Sequence, residues 1–143
     1  MTHLRRSGFT LLELSLVVAI GGLLLALAAP RFAALRDAHS VRAAMTDLGA
    51  SFSLARQSAL ARRAPVAVVL DTITGAVLVR AGTESLRRSA LRSSYGVVLG
   101  SNRDSAVYDP RGLGYGLSNL TVTLRRGTFV DTLTMSRLGR VRW

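Results

Sequence analysis

No cysteine occurs anywhere in the chain. Disulfides, cysteine-ligated metals and thiol nucleophiles are therefore excluded, and the fold has to rest on its apolar core. Histidine is nearly as scarce, with His3 and His39 alone. No second histidine and no cysteine stand near either one to complete a relay or a metal site. A serine–histidine–carboxylate constellation would have to recruit His39, far in sequence from the later carboxylates. Those carboxylates, Asp71, Asp104, Asp109 and Asp131, mostly sit in turn-like or loop-like contexts. The expectation is a protein that is not an enzyme, with no cofactor and no metal. Lysine is absent as well: all 19 basic residues are arginines, against 8 acids, for a net charge of +11. Guanidinium forks suit bidentate phosphate contacts, and a balance this basic points to polyanions or anionic lipid as partners. For any single arginine, a solvated surface is the simpler reading. Repeats and low-complexity tracts are also missing. The glycines of "RGLGYG" (112, 114 and 116) do not follow the G-x-G-x-x-G spacing, and no helix opens after them, so they read as turn residues.

What is present begins with "MTHLRRSG", residues 1–8, short and basic, followed by an apolar stretch over 9–29 broken only by Thr10, Glu13 and Ser15. As a helix that stretch spans roughly 31 Å, about the thickness of a bilayer core. Arg5 and Arg6 ahead of it favour an amino terminus on the cytoplasmic side, with the rest of the chain outside the inner membrane. A secretory signal is the rival reading, with an A-x-A at Ala26–Ala28. Past Pro30, the residues Ala38, Val41, Met45, Leu48, Phe52, Ala55 and Ala59 recur at spacings of three and four, while Arg36, Arg42, Arg56 and Arg63 fall off that stripe. The pattern predicts an amphipathic helical continuation over 30–62. "RRAP" ends it. The remainder, 63–143, reads as strands: a hairpin from 66–70 and 76–80, short strands at 95–100 and 105–109, a second hairpin from 120–124 and 128–136 about the turn "RRG", and a short terminal strand after Gly139. The polar stretch 82–94 reads as a loop or short helix. The class is α+β, with one long amino-terminal helix packed on a small antiparallel sheet.

Glu13 is the residue that does not fit a plain anchor. A carboxylate at mid-membrane costs roughly 2.5–3.5 kcal/mol, although near the start of a helix the dipole favours it. "G-FTLLEL" followed by an apolar run resembles the type IV prepilin leader shared by type IV pilins and the pseudopilins of type II secretion. The resemblance implies cleavage between Gly8 and Phe9 by the prepilin peptidase, N-methylation of Phe9, and retention of the apolar run on the mature protein, which sets aside the secretory signal. It implies that Glu13 attracts the Phe9 ammonium of a neighbouring pilin subunit during assembly. Gly21 and Gly22 permit helix contact or local unwinding.

Beyond the leader, "DLGASFSLARQSALARRAPVAVVL" (47–70), "VYDPRGLG" (107–114) and "MSRLGRVRW" resemble the GspH/FimT branch of that superfamily. The terminal "GRVR" is similar to the G-R-x-R tail of FimT-type minor pilins, which implies DNA binding during natural transformation. On residue chemistry alone, Arg140 and Arg142 of an extended strand share one face, about 7 Å apart, and reach neighbouring phosphates. Trp143 either stacks on a base or covers a hydrophobic edge. Arg137, Arg125 and Arg126 extend the patch. Three readings stay open: a FimT-like minor pilin that touches DNA, a GspH-like pseudopilin with a structural task in protein export, and a membrane-anchored binding module that never assembles.

Overall fold

The computed structural model describes residues 10–115 and 119–143. Gly8, Phe9 and Gly116 lie outside the described residues. The chain divides into two units, Met1–Leu35 and Arg36–Trp143.

Helix α1, Leu11–Arg62, runs through both units and contains Pro30. Proline lacks the amide that would bond back one turn. Among the described residues of the first unit none is buried. Leu11, Leu12, Val17, Leu23 and Leu25 are all at least 60% exposed, and the best membrane-length window has a mean hydropathy of 2.4. From Val41 onward one face of α1 is buried. Val41, Met45, Leu48, Phe52, Ala55 and Ala59 lie on it as the periodicity predicts, while Ala38 is only half-buried and Ala44, Gly49 and Ser51 join it. These additions are small, so they let sheet residues approach the helix backbone closely. The helix stops where Arg63 takes φ 51, a left-handed conformation normally left to glycine, and Pro65 follows.

Among the described residues the second unit holds eight strands in two four-stranded antiparallel sheets. The first has the order β3-β2-β1-β5, from β1 Val66–Asp71, β2 Ala76–Ala81, β3 Glu84–Ala90 and β5 Ser105–Tyr108. The second has the order β4-β6-β7-β8, from β4 Val98–Ser101, β6 Leu120–Arg126, β7 Phe129–Met135 and β8 Val141–Arg142. This is the expected α+β class, with the strands dealt to two sheets instead of one. Alternate residues of each central strand (Val66, Val68 and Leu70 on β1; Leu120, Val122 and Leu124 on β6) meet the buried helix face in one core. Phe52 sits within that core fully buried, a placement worth roughly 1.5–3 kcal/mol for such a side chain.

Two local readings are corrected. Residues 84–90, expected as loop or short helix, form edge strand β3, with the short helix α2, Leu91–Tyr95, after it. β3 lacks apolar alternation because only Ser89 is buried. Edge strands carry charge on purpose, and Arg87 of β3 turns inward to pair with Asp47 of α1 at 2.6 Å. The turn expected at "RRG" is instead Gly127–Thr128, because Arg126 pairs with Phe129 and Arg125 with Val130. Gly127 takes φ 57, the geometry a two-residue hairpin loop demands. Both arginines are therefore strand residues, and period two sends them to opposite faces.

Candidate functional site

Two regions carry chemistry. The first is the start of α1. Thr10 Oγ1 accepts the Glu13 backbone N–H at 3.2 Å, and the Thr10 carbonyl accepts the Leu14 N–H at 3.1 Å. Thr10 thus caps the helix and Glu13 is its third residue, the T-x-x-E spacing of a capping box. Sequence reasoning passed over that local role, although the spacing displays it. The Glu13 carboxylate is exposed, and among the described residues it has no cationic partner. Gly21 and Gly22 have open space where a side chain would stand.

The second region is the carboxyl-terminal turn. Its backbone is locked by three bonds: the Gly139 N–H to the Ser136 carbonyl at 2.9 Å, the Ser136 N–H to the Arg140 carbonyl at 2.9 Å, and the Arg140 N–H to Ser136 Oγ at 3.3 Å. Gly139 takes φ 71, and a Cβ there would lie 2.7 Å from the Gly112 carbonyl oxygen and 3.0 Å from the Tyr108 ring. Only glycine satisfies both conformation and space. The Tyr108 hydroxyl donates to the Gly139 carbonyl at 3.4 Å, and burial pushes its pKa up to about 12 against a small opposing effect of Arg56. The tail is thereby seated on β5 and on the loop 109–114.

From this base Arg140 and Arg142 project into solvent while Val141 packs on the core. Both arginines line one open cleft of about 370 Å³ with Asn119, Thr134, Ser136 and Leu138. Arg137 is exposed on the turn itself. Among the described residues no carboxylate pairs with any of these three guanidiniums. Of the acids in the adjoining loop and strand, Asp109 Oδ1 accepts the Arg111 and Leu113 N–H groups at 2.8 Å each, and Asp131 Oδ1 accepts the Thr132 N–H.

Arg126 does not belong to the patch. It points at the helix, with Nε 2.8 Å from Asp37 Oδ1, and its Nη1 donates to Ser40 Oγ at 3.0 Å and to the Tyr95 carbonyl. A guanidinium with three acceptors has little left for a phosphate. Arg125 is exposed on the outer face but stands opposite Val130, whereas Arg142 stands opposite Thr134. Four residues of strand put them roughly 13 Å apart along β7. Trp143 lies with its six-membered ring over Gly49 of α1, where a Cβ would come within 2.8 Å of it, and stays 61% exposed. It covers the helix edge with one face and leaves the rest in water. The polar lining residues Asn119, Thr134 and Ser136 were not foreseen, since no local pattern joins them before the strands pair.

Comparison with known proteins gives the lineage. The family model described as Type II transport protein GspH matches residues 44–139, more than half of the chain. The chain belongs to the GspH family. The model of the prokaryotic N-terminal methylation motif matches residues 3–29 of this GspH-family chain. Among solved structures, a crystal structure of the type IV minor pilin FimU from Pseudomonas aeruginosa strain PAO1 in space group P21 superposes with a TM-score of 0.63 at 14% identity, covering 73% of this chain and 87% of that one. A second FimU crystal structure, in space group P65, gives a TM-score of 0.59 at 15% identity, covering 71% and 90%. At such identity the likeness concerns the pilin fold, a long amino-terminal helix packed on antiparallel sheets. No curated protein sequence matches the chain.

Proposed function

We propose that this GspH-family chain is a minor pilin-type subunit without catalytic activity. It is cleaved by prepilin peptidase between Gly8 and Phe9, methylated on Phe9, held in the inner membrane by the apolar start of α1, and assembled with other pilin subunits through Glu13. The observation that carries this reading is the exposed apolar helix of residues 11–35 with a single carboxylate on it that has no cationic partner among the described residues. Such a surface needs lipid or neighbouring helices, and such a carboxylate needs a cation from outside the chain. Glu13→Gln preserves the capping-box spacing and removes only the charge, whereas Glu13→Ala removes both. Both variants insert in the membrane, and both fail to enter sheared filaments by immunoblot. Normal incorporation of Glu13→Gln would assign the residue to helix capping alone.

The finer reading is that the tail captures DNA. Its support is the concentration of Arg137, Arg140 and Arg142, exposed and without an ion-pair partner among the described residues, on the locked turn and the short strand after it. Replacing Arg140 and Arg142 together by alanine lowers the slope of log affinity against log salt by roughly 1.8 on duplex DNA, if each contacts one phosphate. An unchanged slope removes the tail from the mechanism. The family match itself favours a second reading, a pseudopilin of type II secretion with a structural role. A deletion strain scored for both DNA uptake and protein export separates the two, and loss of export alone selects the pseudopilin.

A further inference from the structure

The part of the Gly-rich loop that follows β5, residues 109–115, lies against the tail turn. A Cβ on Gly114 would stand 3.2 Å from the Arg137 carbonyl oxygen and 3.5 Å from that of Ser136. Loop and tail therefore present a joined surface, and the loop side holds its own open depression of about 590 Å³, lined by Pro65, Asp109, Pro110, Arg111 and Tyr115. That volume falls in the range of small-ligand sites, roughly 300–1,000 Å³. Tyr115 is tied by its backbone, with its N–H donating to the Val107 carbonyl at 2.8 Å, yet its side chain is 72% exposed. An aromatic ring on a fixed main chain with its face in water is what a stacking partner requires. Arg111 is exposed beside it, and among the described residues its guanidinium has no partner. The Arg56 side chain reaches the loop from α1, within 3.2 Å of the Cβ position of Gly112. Among the described lining residues Asp109 is the sole acid, half-buried and spending one oxygen on two loop N–H groups.

We infer that this depression is a nucleotide subsite for single-stranded polynucleotide, with a base stacked on Tyr115 and its phosphate on Arg111. The inference rests on the polyanion reading of the tail and extends it across the loop. Stacking is indifferent to base identity and unavailable from a paired duplex, so the subsite selects single strands over duplexes without selecting sequence.

The test uses the full chain in detergent micelles and fluorescence anisotropy with two labelled probes. One is a single-stranded thymidine oligonucleotide of about a dozen nucleotides, a length typical of such sites. The other is an abasic strand of equal length, which keeps the phosphates and lacks the bases. Tyr115→Ala weakens the thymidine strand about tenfold and leaves the abasic strand unchanged, while Tyr115→Phe binds both as the wild type does. Arg111→Ala lowers the salt slope by roughly 0.7 on both strands. Equal thymidine affinity for Tyr115→Ala and wild type overturns the subsite. The same holds if Tyr115→Ala fails only to enter filaments, which would make the loop a subunit contact. The Arg140→Ala, Arg142→Ala double variant run alongside tells the two failures apart. A lowered slope there with no Tyr115 effect leaves the tail reading standing, whereas a wild type that binds neither strand removes both.

Discussion

Tyr108 is the residue that joins the two halves of the tail site, because it is 1% exposed on β5 and donates to the carbonyl of Gly139. Its hydroxyl is neutral when protonated, and burial raises its pKa to about 12 from the usual 10. A raised folded-state value means the unfolded chain ionises first. The contribution of Tyr108 to stability is therefore complete below pH 10, declines as pH rises from about 10 to about 12, and is gone above that. Two pH units correspond to about 3 kcal/mol. Urea unfolding followed between pH 9 and pH 12 shows this decline in the wild type. Tyr108→Phe keeps the ring packing, forfeits one long hydrogen bond worth about 1 kcal/mol or less, and flattens the curve in that window. An identical slope in Tyr108→Phe would place the alkaline sensitivity on other groups. The sequence separates Tyr108, in a predicted strand, from Tyr115, in a glycine-rich turn, but which face of the strand is buried is decided only by the pairing of Val66 with Tyr108 across the sheet.

At the level of elements, the sequence was most readable where period and burial coincide. The helix stripe of Val41, Met45, Leu48, Phe52, Ala55 and Ala59 and the strands of both hairpins follow from spacing alone. β3 was hidden because its stability comes from outside itself, through pairing with β2 and the Arg87–Asp47 and Arg62–Glu84 ion pairs to α1. The division into two sheets was hidden for the same reason, as strand partners lie far apart in the chain. The neighbouring arginines of β6 show how much turns on one residue of register. Shifting the turn from 125–127 to Gly127–Thr128 sends Arg126 inward to Asp37 and leaves Arg125 outside. Arg126→Ala strands Asp37, 29% exposed, beside the hairpin, and should cost about 1–3 kcal/mol in denaturant unfolding. Its DNA salt slope stays at the wild-type value. Arg142→Ala does the converse, with unfolding unchanged within about 0.5 kcal/mol and a lower slope. If Arg126→Ala lowers the slope while unfolding normally, its engagement with the helix does not govern its role.

For the molecule as a whole, the two units differ in what solvent they require. Among the described residues every buried apolar residue of the core lies at Val41 or beyond, and the membrane-length window of α1 is 0% buried. The described residues of the first unit therefore contribute exposed apolar surface and no core packing, which agrees with the anchor that the sequence predicts. The second unit has its own core and a strong excess of arginine. A chain beginning at Arg36 should stay monomeric in detergent-free buffer and unfold in urea within about 0.5 kcal/mol of the full chain in micelles, since no core contact has been removed. Aggregation of that truncated chain, or a loss of several kcal/mol, would show that the apolar stretch supports the fold as well as the anchor. The outcome also bears on capture of DNA. If Arg36–Trp143 is stable alone and keeps the full salt slope, polyanion binding belongs to the second unit and is separable from assembly. Glu13 and the arginines of the tail then act as independent devices on one chain, and a Glu13→Gln variant that cannot enter filaments still binds DNA with undiminished affinity.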